Sequence, residues 1–105
     1  MPDLYLNTHQ HHHAVHVTLV GPLNARTAPR LRAELNPHSS TRVQLHMRDC
    51  TGIDLDGLFA LSLAHTAAAE AGGSLDLADV PPLIAHYLHD HHADHLLEPP
   101  SAEQP

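Results

Sequence analysis

The segment from Gly57 to Ala71, GLFALSLAHTAAAEA, restricts this chain more than any other. Its alanines and leucines are strong helix formers, and so many small side chains let a helix lie close against a sheet. Ser62, His65, Thr66 and Glu70 share one face, the expected outward one, which leaves the remainder to pack. Asp54 and Asp56 stand just ahead of the run. The first turn of a helix has orphan N–H groups and a partial positive charge, so carboxylates are favourable there. The same geometry also suits a phosphate. Gly72-Gly73 supplies the stop.

Around this helix the chain alternates between two periods. Asp3 to Thr8 reads as a short strand, and the polar His9 to His13 as a hairpin loop. Val15, Val17 and Leu19 alternate with His16 and Thr18, the pattern of a half-buried strand, and Gly21-Pro22 ends it. Asn24 or Thr27 caps the next helix, with Pro29 in its first turn and Leu31 and Leu35 four apart. Asn36-Pro37 stops that helix before a loop over His38 to Thr41. Val43, Leu45 and Met47 form a third alternating strand, and Leu75 to Ala78 a fourth. Pro81 opens a helix to about His89, and Leu96-Leu97 reads as a last edge strand. The order β-β-α-β-α-β-α-β predicts an α/β fold, a mixed and mostly parallel sheet of about five strands with helices packed on it. Residues 1–98 are read as one domain and 99–105 as a disordered, proline-rich tail.

Charge narrows the partners. The net charge is −7 with histidines neutral, and every basic residue is Arg. Such a chain is a poor match for nucleic acid or an anionic membrane. No run approaches the roughly 20 apolar residues of a membrane span, and Met1 to Gln10 lacks the pattern of a secretory signal. Cys50 is the only cysteine, which excludes an internal disulfide and fits a reducing, cytoplasmic setting. It reads as a packing residue, since redox sensing needs a depressed thiol pKa. No nucleophile–base pair stands at catalytic spacing, so neither enzymatic activity nor a cofactor is expected.

Histidine is the compositional anomaly, with 13 residues. His9, His11, His12, His13 and His16 cluster on the first hairpin, and His86, His89, His91, His92 and His95 near the C-terminus. His91 and His95, four apart, would present two imidazoles on one face of a helix and are the candidate metal ligands. Against this, no HExxH motif is present. Surface histidine without a metal is the simpler reading. Arg26, Arg30 and Arg32 could rim the first helix for an acidic partner.

Three segments in order resemble a known family. Gly21 to Leu35, GPLNARTAPRLRAEL, resembles the motif that leads from the second strand into the first helix of STAS domains. Ile53 to Leu58, IDLDGL, resembles their Asp-Ser-Ser-Gly-Leu turn, and Gly72 to Ile84 their following strand and Pro-started helix. The resemblance runs from about Leu4 to Leu97 and implies an anti-sigma-factor antagonist-like regulator that binds an anti-sigma factor with serine-kinase character. In that family the partner phosphorylates a serine in the second helix's first turn. Here Leu55 and Asp56 occupy the two serine positions, with the usual acceptor at Asp56; Asn24 replaces an aspartate, and His46 falls where the third strand often has one. Phosphorylation at this turn is therefore not expected.

Two readings of Asp56 stand side by side: a helix N-cap worth about 1 kcal/mol, or a fixed negative charge where the family places a phosphate. His46 is likewise either a satisfied half-buried imidazole or a new partner for Asp54 and Asp56. The expected contact surface comprises Asn24, Asp54, Leu55, Asp56, Gly57, Leu58 and the exposed face of the helix. Alternative roles are a cytosolic STAS subunit of a lipid-transport ABC system and a His-rich metal-binding protein. Weak self-association is left open.

Overall fold

The computed structural model describes residues 4–38 and 40–97, so the expected tail over 99–105 lies outside the described residues. β1 (Tyr5–His11) and β2 (Ala14–Leu23) form an antiparallel hairpin in which His11 pairs with Ala14. Only His12 and His13 turn the chain, with φ of 52° and 66°, as a type I′ connection requires. The loop expected over His9 to His13 is thus shorter, because pairing with β2 satisfies the backbone of His9 to His11 whatever their side chains. Nor does Gly21-Pro22 end β2. The register slips between Thr18 and Val20 and again between Gly21 and Pro22, which accommodates a proline that cannot donate to the ladder.

α1 (Ala28–Leu35) leads from β2 to β3 (Arg42–Ile53), and α2 (Leu55–Glu70) from β3 to β4 (Ser74–Ala78). The sheet order is β1-β2-β3-β4, with β3 parallel to both β2 and β4. α3 (Pro82–Asp90) follows, then a 3-10 turn at Asp94–Leu96. Among the described residues the sheet has four strands where about five were expected. The segment read as a fifth strand is mostly that turn, and Leu97 makes a single parallel bridge to Leu77. Ala93 and Leu96 are buried, so packing of their side chains, not a ladder, holds the segment against the sheet.

Val15, Val17, Leu19, Val43, Leu45, Met47, Leu75 and Leu77 bury one face of the sheet. Leu31 and Leu35 of α1 and Leu58, Leu61 and Ala68 of α2 complete that core, joined by Ile84 and Leu88 of α3. Each fully buried leucine contributes about 1.5–3 kcal/mol over exposure. The edge strand is tied down by polar contacts: Arg30 donates to the carbonyl of Leu4, and Thr8 to the carboxylate of Glu34. The other sheet face, with His16, Thr18, Gln44 and His46, is only half-buried. Among the described residues, no helix is long and apolar enough to cross a membrane.

Candidate functional site

Leu23 and Ile53 are register partners at the ends of β2 and β3. The chain leaves both strands at the same level, so the first turns of α1 and α2 lie side by side. This brings Asn24 and the turn from Asp54 to Leu58 to one end of the sheet.

Asn24 shapes the entry to α1. Its Oδ1 accepts from the backbone N–H of Arg26 at 2.9 Å and of Thr27 at 3.2 Å. Thr27, only 2% exposed, donates its hydroxyl to the Pro22 carbonyl at 2.9 Å and accepts from the Asn24 N–H at 2.9 Å. The side chain of Asn24 is therefore engaged in folding the turn. An amide serves this purpose without the negative charge of the family's aspartate.

In the second turn, Asp54 is the N-cap, and not Asp56. Its backbone is extended (φ −124°, ψ −174°), held by donation from its N–H to the Leu23 carbonyl at 3.3 Å. Its carboxylate accepts from the Gly57 N–H at 2.9 Å. Because the β2–β3 ladder keeps Asp54 extended, the helix begins at Leu55 and Asp56 falls inside the first turn, exposed. Gly57 is fixed by space. A Cβ there would stand 2.4 Å from the Leu23 carbonyl oxygen, closer than any van der Waals contact permits.

An apolar stripe runs along the exposed side of α2. Leu55, Phe59 and Leu63, at successive i+4 positions, are 61%, 64% and 42% exposed. They continue into a shallow groove between α1 and α2. One depression of about 200 Å³ is lined by Ala28, Pro29, Arg32, Asp56, Phe59 and Leu63; the next, about 250 Å³, by Arg32, Leu35, Val43, Leu63, Ala64 and Ala67. Of the four residues expected outward, Thr66 and Glu70 are exposed, whereas Ser62 and His65 are half-buried. The i, i+4 spacing of Leu55, Phe59 and Leu63 was the available signal. It was masked because apolar residues occur all round this helix.

The remaining candidates separate from this site. His46 contacts His16 and Asp79, so it is the half-buried imidazole and not a partner of Asp54 or Asp56. Burial pushes the Cys50 thiol pKa up, and the thiol donates to the Gly52 carbonyl at 3.3 Å. Arg30 is spent on Leu4, while Arg32 lines the groove. α3 ends at Asp90, and His92 has a φ of 57°, so His91 and His95 do not share a helical face. His91 instead lies against Tyr87, with ring centroids 4.4 Å apart, and His95 against His65 at 5.2 Å. Among the described residues, no three His, Cys, Asp or Glu side chains are grouped to hold a metal ion.

This architecture is shared with solved structures. The anti-sigma factor antagonist SpoIIAA in its unphosphorylated form matches with a TM-score of 0.75 at 12% identity, covering 94% of this chain and 91% of that one. An anti-sigma factor antagonist from Mycobacterium paratuberculosis matches with a TM-score of 0.76 at 18% identity, covering 98% and 92%. A sulfate transporter family protein from Wolinella succinogenes matches with a TM-score of 0.72 at 23% identity, covering 84% and 74%. At these identities the likeness establishes the fold. No curated protein sequence matches the chain. The family model described as "Mlab, STAS domain" matches residues 6–98, nearly the whole chain, and the protein belongs to that STAS family.

Proposed function

We propose that this protein is a protein-binding regulatory module, anti-sigma-factor antagonist-like, that docks its partner constitutively through the first turn and outward face of α2. The observation that carries this reading is the exposed stripe of Leu55, Phe59 and Leu63 running from that turn. Monomeric proteins keep such patches small unless they bind something, and aromatic anchors in apolar surroundings are the residues on which interfaces depend most. Asp56 and Leu55 stand where the family carries hydroxyls, so the turn has no acceptor to phosphorylate. Asp56 adds one fixed negative charge at its edge, and Leu55 adds contact area. The module acts by binding, not by catalysis. Its partner is a cytoplasmic anti-sigma factor or a related kinase-like protein.

A second reading, a STAS subunit of a lipid-transport ABC system, draws support from the same stripe. A permanent subunit needs an apolar face and no phosphorylation switch. Co-purification of the tagged protein with an anti-sigma factor and with an ABC ATPase from the source organism tests both. Phe59→Ser and Leu55→Ser should each weaken capture of the true partner at least about tenfold, the loss of an interface anchor. If a partner were captured equally by wild type and both variants, α2 would not be the interface.

A further inference from the structure

α1 and α2 begin side by side but are unequal in length, with 8 residues against 16. At 1.5 Å per residue α1 runs out after roughly 12 Å, about half-way along α2. Asn36-Pro37 turns the chain into the 3-10 segment Asn36–His38 at that point. Past Leu63, α2 offers the space beyond the end of α1 nothing larger than alanine: Ala64, Ala67 and Ala68. Methyl groups are too short to close it. The result is the depression of about 250 Å³. Val43 and Leu75, register partners on β3 and β4 and each 3% exposed, line its sheet side.

The lining is apolar on the sheet and α2 sides and polar along α1. Arg32, Asn36 and His38 supply the polar part, and no acidic residue lines this depression. That is a local exception in a chain of net charge −7. Asp56 lines only the neighbouring depression, which shares Arg32 and Leu63 with this one. Arg32 is exposed in the last turn of α1, and among the described residues no carboxylate pairs with its guanidinium. Asn36 adds amide donors beside it. A concave apolar wall with a few polar groups on one side is the make-up of a small-molecule site.

We propose that this depression binds a medium-chain fatty acid, its hydrocarbon on Val43, Leu75 and the α2 alanines and its carboxylate on Arg32. Size sets the chain length. An apolar cavity of about 150 Å³ holds the six carbons of benzene, so this one takes about ten. The guanidinium fork meets a carboxylate with two parallel hydrogen bonds. A phosphate fits the same fork, but its second charge adds to the repulsion from a chain at −7. The site is independent of the partner proposed for Leu55 and Phe59, since binding is read on this chain alone.

Titration of the full chain with straight-chain carboxylates below their micelle concentrations, followed by amide and methyl NMR, tests the site. Saturable shifts should centre on Val43, Ala64 and Leu75. Affinity should rise about two- to fourfold per added methylene and level off near ten carbons. Arg32→Gln should weaken octanoate at least about tenfold and leave octanol unchanged. Ala67→Leu, at an exposed helical position, should fill the depression and abolish binding of both, with the fold confirmed by circular dichroism. Shifts that do not saturate, an affinity indifferent to chain length, or equal effects of Arg32→Gln on octanoate and octanol would overturn the proposal. So would a dimer in sedimentation, or a captured protein partner, that Ala67→Leu abolishes and decanoate does not displace.

Discussion

Gly57 is pressed so closely against Leu23 that the Leu23 carbonyl oxygen would sit 2.4 Å from an added Cβ. The obstacle is backbone, not a side-chain tip that could swing aside. The same carbonyl accepts from Asp54, so moving it also strains the β2–β3 junction. Gly57→Ala should therefore destabilise the fold by about 1–3 kcal/mol, the usual range for overpacking, even though alanine is the better helix former. Urea denaturation of the variant checks this. An unchanged or raised midpoint would mean that α2 can move away from β2 freely.

Asp54 and Asp56 separate cap from charge. Asp54 accepts the Gly57 N–H, whereas Asp56 is exposed within the first turn. Asp54→Ala should cost about 0.5–2 kcal/mol, the range for a lost N-cap. Asp56→Ala, a surface change, should stay within about 0.5 kcal/mol of wild type. Equal losses from both, measured by thermal or denaturant unfolding, would contradict this division.

The alternating β2 and β3, the helical run of α2 and the order of the elements were legible in the sequence. Each depends on a period that the chain displays openly. Less legible was which aspartate caps α2. That choice is set by how far the β2–β3 ladder runs, and Asp54 stays extended only because Leu23 lies across from Ile53. The outward face of α2 was hidden by its alanines, since Leu55, Phe59 and Leu63 stand out only once the sheet fixes the helix rotation. The His16–His46–Asp79 chain joins three separated segments, and no spacing within any one of them announces it.

The depressed pKa of His16 gives the pH dependence a definite sign. In the unfolded chain this imidazole titrates near the ordinary value of about 6.5, whereas in the fold it binds its proton only at lower pH. Below about pH 6.5 the unfolded state therefore holds more protons, so stability rises with pH in that window. The His16 contribution is complete above about pH 6.5, declines as pH falls toward the folded-state value, and changes no further below it. Wild type should lose more stability than His16→Gln between about pH 6.5 and pH 5, measured as urea midpoints at matched ionic strength. A larger loss in the variant would reverse the sign assigned here.

Asp56→Ser restores a hydroxyl at the position where the family is phosphorylated, beside the exposed Leu55 and Phe59. The fold should tolerate the change within about 0.5 kcal/mol, because Asp54 supplies the cap. If the partner is an anti-sigma kinase, the variant should take up one phosphate, detected as a mass increase on the peptide containing Ser in place of Asp56. The modification brings a charge of about −1.5 to −2 where the wild type has −1, together with three strongly hydrated oxygens. Placed at the edge of the apolar stripe, it should weaken partner binding relative to the unmodified variant. If the variant binds that kinase as tightly as wild type yet stays unmodified, the turn is not presented to the kinase active site, and the constitutive subunit reading gains. If phosphorylation leaves binding unchanged, the interface does not include the first turn of α2.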